Sequence, residues 1–196
     1  KPLGDGLSTT STTFVQVKSD ANTTLSNVIA VSAGSYHFVA VKSDGTVWTW
    51  GDNTAGQLGQ GDTSQRVYAT QVSGITNAIA TETGYMHSLV LTSDGKVYAW
   101  GHNNDGESGG STGTHNTSPV EQISLSAVKI MAGHRWSGAL LSNGTVQSWG
   151  ANTAGQYGIN STSQSSSPTS SSSNFFNAQA ISSGTNFALV LDSNNT

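Results

Sequence analysis

Short segments in which apolar and polar residues alternate recur along the chain and predict β-strands. His37, Val39 and Val41 alternate with their neighbours, as the two-residue period of a pleated strand requires. The same alternation recurs at His87, Leu89 and Leu91. A second apolar segment follows each time and ends in a Trp-Gly pair, at residues 47–50, 97–100 and 146–149. The pattern therefore predicts a series of β-hairpins.

Turn-forming dipeptides lie between the paired segments, at Asp44-Gly45, Asp94-Gly95 and Asn143-Gly144. These residue types tolerate positive φ at both central positions, so we expect two-residue type I′ turns. Weaker third and fourth strands are predicted around residues 68–72 and 75–81, and again around residues 120–123 and 128–131.

The hairpins belong to an internal repeat of about 50 residues. Its copies begin at Gly34, Gly84, Gly133 and Gly184, at intervals of 50, 49 and 51 residues. About four short strands in each period, with turn glycines at fixed offsets, are typical of a β-propeller blade. The fold class is therefore predicted as all-β, with about four blades of four antiparallel strands.

Two ten-residue motifs carry a resemblance to a known family. Residues 50–59 read WGDNTAGQLG and residues 149–158 read WGANTAGQYG, while Gly-Xaa-Xaa-His begins the copies at Gly34 and Gly84. The chain resembles the repeats of the regulator-of-chromosome-condensation family over nearly its entire length. The resemblance implies a propeller of seven blades and partners that differ between members, including a small nuclear GTPase and a secreted β-lactamase.

Residues 1–196 are predicted to form one β-propeller fragment. Residues 1–33 would supply the outer strands of a partial blade, residues 34–83, 84–132 and 133–183 three repeats, and residues 184–196 the start of a further repeat. Residues 1–6 match the register of residues 56–61, and residue 196 matches residue 46. Both ends are thus expected to lie within a blade, and missing sequence or another chain is expected to complete the ring.

One segment departs from the repeat, because residues 161–173 read STSQSSSPTSSSS. Such a polar segment buries little apolar area. We therefore expect a flexible outer loop in place of the third strand of that blade.

Composition excludes several classes of function. Charged residues make up 9% of the chain, and the formal net charge is −4. Nucleic acid is not expected as a partner, because phosphate binding needs a dense basic surface. The chain contains no cysteine, so it has no disulfide or thiolate metal site. Its apolar segments are shorter than a membrane span, and membrane insertion is not expected.

Histidines and acidic residues do not form a recognisable catalytic or metal-binding pattern. His37 and His87 recur at one repeat position, but that position holds Trp136 in the third copy and Phe187 in the fourth. The position therefore requires a bulky ring for packing. Asn143 replaces the turn residues Asp44 and Asp94, so a carboxylate is not needed there. We predict a protein that is not an enzyme and has no cofactor or metal site.

The constant positions are interpreted as scaffold and the variable loop positions as candidates for binding. Trp50, Trp100 and Trp149 are expected to pack between blades, and Asn53, Asn103 and Asn152 to bind their own loop backbones. Aromatic, Met and Arg side chains are enriched in binding hot spots. The candidate partner-binding residues are Tyr36, Asp52, Tyr85, Met86, His102, His134, Arg135, Trp136, Tyr157 and Asn186.

Three functions remain open on the sequence. The first is a propeller that binds a protein partner through loops on one face. The second is a carbohydrate-binding or adhesin-like protein, in which Tyr36, Tyr85 and Trp136 offer rings for stacking on a glycan. The third is a structural component that packs against sister chains. The low charge and the abundance of Ser, Thr, Asn and Gly favour an extracellular, cell-surface or virion location.

Overall fold

The computed structural model describes residues 2–123, 126–170 and 177–193. These ranges contain fourteen β-strands and no helix. The strands are β1 Val28–Ala33, β2 His37–Lys42, β3 Val47–Gly51, β4 Arg66–Gln71, β5 Ala78–Thr83, β6 His87–Thr92, β7 Val97–Gly101, β8 Asn116–Ile123, β9 Ala127–Ala132, β10 Trp136–Leu141, β11 Val146–Gly150, β12 Ser165–Ser170, β13 Ala178–Ser183 and β14 Ala188–Asp192.

The strands form consecutive antiparallel sheets, each built from neighbours in the sequence. The first three sheets have the orders β1-β2-β3-β4, β5-β6-β7-β8 and β9-β10-β11-β12, and β13 pairs with β14. The first strands of successive sheets contact one another, β1 with β5, β5 with β9 and β9 with β13. This is the arrangement of propeller blades around a common axis. The predicted all-β fold with about four blades is confirmed.

Blade and sequence repeat are offset by one strand. The sequence suggests that the strand at residues 75–81 closes the repeat that begins at Gly34, and that the strand beginning at His37 is innermost. In the structure, β5 is the innermost strand of the second sheet. The reason is local, because the three residues 84–86 join β5 directly to β6 and short antiparallel connections form hairpins.

The hairpin turns differ from the predicted type I′ turn. The N–H of Gly45 donates to the carbonyl of Lys42 at 2.9 Å, which places Ser43 and Asp44 at the centre of the turn. Gly45 has φ +77°, whereas the φ of Asp44 is not positive. The turn is therefore a type I turn followed by a glycine in the left-handed region. The Asp44 carboxylate accepts from the N–H of Thr46 at 3.0 Å and stabilises this alternative.

The apolar cores lie between adjacent sheets. Val39, Val41 and Val47 of the first sheet pack with Val90 and Trp100 of the second. A second cluster joins Leu89, Leu91 and Val97 to the third sheet, and a third joins the third sheet to β13 and β14. Because the second and third sheets are each covered on both faces by their neighbours, β6 and β10 are buried along their entire length.

The outward faces of the first and fourth sheets are apolar and exposed in part, since Val17 and Leu25 pack against the cluster that contains Trp50 on the first. On the first sheet, Val31 is 69% exposed beside a groove that Phe38 and Trp50 also line. On the fourth, Phe187 and Leu189 are 58% and 64% exposed. Leu189 corresponds by repeat position to Val39 and Leu89, which are buried against the next sheet.

The serine-rich segment is more regular than expected. Ser165–Ser170 forms β12 and pairs with β11, through the partners Gln147 with Ser170 and Ser148 with Thr169. The expectation of a flexible loop is wrong for these residues, because ladder hydrogen bonds use the backbone and do not require apolar side chains. Residues 171–173 of the segment lie outside the described ranges. In the part of the chain that is described, no helix is long and apolar enough to cross a membrane.

Candidate functional site

Four short loops meet at one end of the blades. They are residues 34–36, 84–86, 133–135 and 184–186, which we call the loop crown, and each joins the first strand of a sheet to the second. Backbone hydrogen bonds run from one loop to the next: Ser35 N to Tyr85 O at 3.2 Å, Tyr85 N to His134 O at 3.1 Å and His134 N to Thr185 O at 3.0 Å. The loops are thereby fixed relative to one another around a shallow recess of about 420 Å³.

The crown presents different side chains in each blade. Tyr36 is 46% exposed and Tyr85 is 40% exposed, while His134 and Asn186 are also exposed. The rings of Tyr85 and His134 contact each other, with their centroids 4.5 Å apart. Met86 is half-buried beside them. These five predicted residues thus lie in one cluster of loops.

A second set of loops supports the crown from the outside. The N–H groups of Asp52, His102 and Ala151 donate to the carbonyls of Tyr36, Met86 and Arg135, at 2.8, 2.9 and 2.8 Å. Arg135 also forms an ion pair with Asp105 of the preceding blade, at 2.7 Å between Nε and Oδ2. The loops after β3, β7 and β11 thus lie at the same end of the blades as the crown.

Three of the predicted binding residues are buried and belong to the scaffold. Trp136 is fully buried, and its Nε1 donates to the carbonyl of Thr185 at 3.1 Å. Tyr157 is buried, and its hydroxyl donates to the carbonyl of Gly150. The buried Asp52 carboxylate accepts from Gln57 Nε2 at 2.9 Å. These side chains do not reach the crown surface, and Trp136 cannot stack on a glycan in this structure.

His102 is the remaining candidate and contacts a carboxylate that sequence reasoning missed. Its Nδ1 hydrogen-bonds to Glu107 Oε1, and Glu107 is fully buried. Burial raises the pKa of Glu107, but hydrogen bonds and the nearby histidines outweigh it, so the net pKa lies below the ordinary value. The available signal was the repeat itself, because Gln57 and Gln156 occupy the equivalent positions.

Buried histidines join the blades beneath the crown. His37 Nε2 hydrogen-bonds to Ser88 Oγ of the next blade at 3.0 Å, and Ser88 Oγ donates to the carbonyl of Gln57 at 2.9 Å. Trp100 Nε1 donates to the same carbonyl at 2.9 Å. His87, Ser137, Glu107 and Trp149 repeat this arrangement one blade later. These rings pack between blades, as their replacement by Trp136 suggested.

The asparagines of the constant motif stabilise their own loops. Asn53 Oδ1 accepts from the N–H of Leu58 at 2.9 Å, and its Nδ2 donates to the carbonyls of Asp62 and Ser64. Asn103 and Asn152 make equivalent contacts. Among the described residues, no group of three or more His, Cys, Asp or Glu side chains could hold a metal ion.

Family models match the chain between residues 28 and 107. The model described as "Regulator of chromosome condensation (RCC1) repeat" matches residues 28–57 and 79–107, and a second model of the same description matches residues 44–91. Human E3 ubiquitin-protein ligase HERC2 is 57% identical over 37 residues, which are 19% of this chain and 1% of that protein. Ras guanine nucleotide exchange factor C of Dictyostelium discoideum is 47% identical over 38 residues, which are 19% of this chain and 3% of that protein.

Solved structures share the fold over most of the chain. Human WBSCR16 aligns with a TM-score of 0.75 and 22% identity, covering 85% of this chain and 45% of that one. Yeast RCC1 (Prp20), solved bound to Kap60, aligns with a TM-score of 0.71 and 20% identity, covering 85% and 42%. This chain therefore spans less than half the length of these two proteins.

Proposed function

The chain carries repeats of the regulator of chromosome condensation (RCC1) family, and from that premise we propose that its loop crown binds a protein partner. The observation that carries the proposal is the contrast within the crown. Its backbone is joined from blade to blade by hydrogen bonds, whereas its side chains differ in every blade. A rigid surface with variable side chains binds with little ordering cost, and variable loops on a constant scaffold are where binding specificity usually lies.

The side chains of the crown suit a protein surface. Tyr36, Tyr85 and Arg135 are of the residue types that dominate binding hot spots, and Met86 offers an adaptable apolar contact. Two solved structures with this fold are of one yeast protein: RCC1 (Prp20) is bound to Kap60 in the first, and the second describes Prp20p of Saccharomyces cerevisiae with its binding to Gsp1p and histones. Those similarities support the class of partner for this chain and not its identity.

We propose a binding role and not a catalytic one, because the carboxylates beside the crown have structural partners. Asp52 accepts from Gln57, Asp105 pairs with Arg135 and Glu107 contacts His102. An extracellular, cell-surface or virion location rests on composition alone. Packing against sister chains is the second candidate, and it is favoured by the exposed apolar faces of the first and fourth sheets.

The test compares three forms of the chain as bait in quantitative affinity capture from a cell extract. The triple variant Tyr36→Ala, Tyr85→Ala and Arg135→Ala removes crown side chains. The matched control, Lys42→Ala with Lys96→Ala, removes two cations next to the hairpin turns at the other end of the blades. Circular dichroism checks that all three forms are folded.

We expect the triple variant to lose the captured protein and the control to keep it. With that protein purified, the triple variant should raise Kd by at least about 30-fold, which corresponds to a loss of about 2 kcal/mol. Equal affinity of the triple variant and the wild-type chain would refute the crown as the binding surface. Binding to a glycan array with no protein capture would instead support the carbohydrate alternative.

A further inference from the structure

Three positions in the loop after the third strand change together in the second blade. The loops can be compared residue by residue, because Gly51 pairs with Arg66, Gly101 with Asn116 and Gly150 with Ser165. The first blade has Asp52, Gln57 and Gln65 at the three positions, and the third has Ala151, Gln156 and Gln164. The second blade has His102, Glu107 and His115. Amides at two positions are thus replaced by titratable groups in one blade only.

At the second of these positions, which holds Gln57, Glu107 or Gln156, the turn requires only one acceptor oxygen. Gln57 Oε1 accepts from the N–H of Ala55 at 2.8 Å, and Gln156 Oε1 accepts from the N–H of Ala154 at 2.9 Å. Glu107 Oε2 makes the equivalent bond to the N–H of Asp105 at 2.9 Å. Because one oxygen satisfies the turn, the second oxygen of Glu107 is additional, and it binds His102 Nδ1.

The bond to Glu107 orients the ring of His102. With Nδ1 held by a fully buried carboxylate, Nε2 at the other side of the ring is the nitrogen left for a ligand. A histidine that binds a metal ion characteristically has its second ring nitrogen held by a carboxylate in this way, which fixes the tautomer and increases the basicity of the ligand.

His115 lies next to His102 and supplies a second imidazole. The two ring centroids are 4.9 Å apart and the rings are tilted by 32°. Two imidazoles on one tetrahedral ion, each with a metal–nitrogen bond of about 2 Å, have their ring centroids about 5 Å apart. His115 is exposed, and its partial burial, followed by the proximity of His102, holds its pKa below the ordinary value.

We propose that His102 and His115 bind a divalent transition-metal ion such as Zn²⁺, with Glu107 as the positioning residue for His102. Neutral imidazoles are favoured ligands of Zn²⁺, Cu²⁺ and Ni²⁺. Two protein ligands leave the remaining coordination positions to water or to a side chain from a partner. The site adjoins the loop crown, since the N–H of His102 donates to the carbonyl of Met86 and Asp105 pairs with Arg135.

The test measures Zn²⁺ binding by the full chain with isothermal titration calorimetry, using zinc chloride as the probe. His115→Gln restores the residue of the first and third blades, so it is expected to fold, and it should weaken Zn²⁺ binding by more than about tenfold. Glu107→Gln keeps the turn bond and should weaken binding by about tenfold, the lower end of the range for a lost carboxylate partner. His134→Gln, which removes another exposed histidine, is the matched control and should bind as the wild-type chain does.

A second measurement locates the ion without reference to affinity. In nuclear magnetic resonance spectra of the wild-type chain, Zn²⁺ should shift the ring signals of His102 and His115 and leave those of His134 in place. The proposal is overturned if the wild-type chain takes up no Zn²⁺, if His115→Gln binds as tightly as the wild-type chain, or if the ring signals of His134 shift instead.

Discussion

The buried histidines predict a loss of stability in mild acid. Burial in apolar surroundings, together with the proximity of His87, lowers the pKa of His37 from 6.5 to about 3. Burial likewise lowers the pKa of His87 to about 4. In the unfolded chain both imidazoles have their ordinary pKa near 6.5. Between the two values the unfolded chain binds protons that the folded chain does not, so the free energy of unfolding falls as the pH falls.

The magnitude follows from the width of that interval. The contribution is complete above about pH 6.5, and each pH unit below that removes about 1.4 kcal/mol per histidine. Lowering the pH to about 5 therefore costs about 2 kcal/mol for each histidine and about 4 kcal/mol for the pair. The exposed aspartates with lowered pKa values, among them Asp44 and Asp94, have an ordinary pKa of about 3.9 in the unfolded chain and titrate below about pH 5. Their effect therefore appears only in stronger acid.

The assay is urea unfolding, followed by tryptophan fluorescence, in buffers from about pH 7.5 to about pH 5. The variant His87→Trp with Ser137→Ala introduces the pair that Trp136 and Ala188 form one blade later, where both belong to one apolar cluster. This variant should lose about half of the pH dependence. His115→Gln corrects for the smaller contribution of His115, whose pKa is also lowered. A free energy of unfolding that is equal at pH 7 and pH 5 would refute the reasoning.

Two further predictions concern the loops. His102→Asp places a second carboxylate against the buried Glu107 and should cost about 3 kcal/mol of stability, measured by urea unfolding. Adding Glu107→Gln recreates the Asp52 and Gln57 pair and should recover most of that stability. No recovery would contradict the equivalence of the two loops. Gly51→Ala should cost more than about 3 kcal/mol, because Gly51 has φ +106° and a Cβ there would lie 2.5 Å from a backbone carbonyl. Gly74→Ala, at φ +84° with nothing within 4 Å, should cost only about 1 kcal/mol; equal losses would contradict the steric argument.

The repeat made the fold predictable, but not the strand pairing at its boundaries. Strand segments can be located from the alternation of residues such as Val39 and Val41, because alternation reflects burial on the two faces of a sheet. It does not specify the neighbour with which a strand pairs. The strand β5 lies between two hairpins, and only the short connection at residues 84–86 assigns it to the second sheet. The predicted turn type was wrong for a similar reason, since the dipeptide Asp44-Gly45 fits more than one register of the hairpin.

The candidate site was predictable where position in the repeat fixes exposure. Tyr36 and Tyr85 follow the recurring glycines and reach the surface. Trp136 and Tyr157 were included because their residue types vary between copies, yet both are buried. Variation at a buried position can be compensated by a change in the adjoining blade, and one strand read in isolation does not reveal the compensation.

Comparison of the copies across blade boundaries separates variation at buried scaffold positions from variation at exposed crown positions. Where His37 and His87 are replaced by Trp136, the serine that each histidine contacts in the next blade is replaced by Ala188. Asp52 with Gln57 and His102 with Glu107 likewise change as pairs and keep a hydrogen bond at the same place. Such paired changes preserve the scaffold. The hydrogen bonds that join the crown loops to one another are made by their backbones, so they do not depend on which side chains the loops carry. The scaffold therefore does not depend on the identity of these side chains, which is the physical basis for testing the crown first.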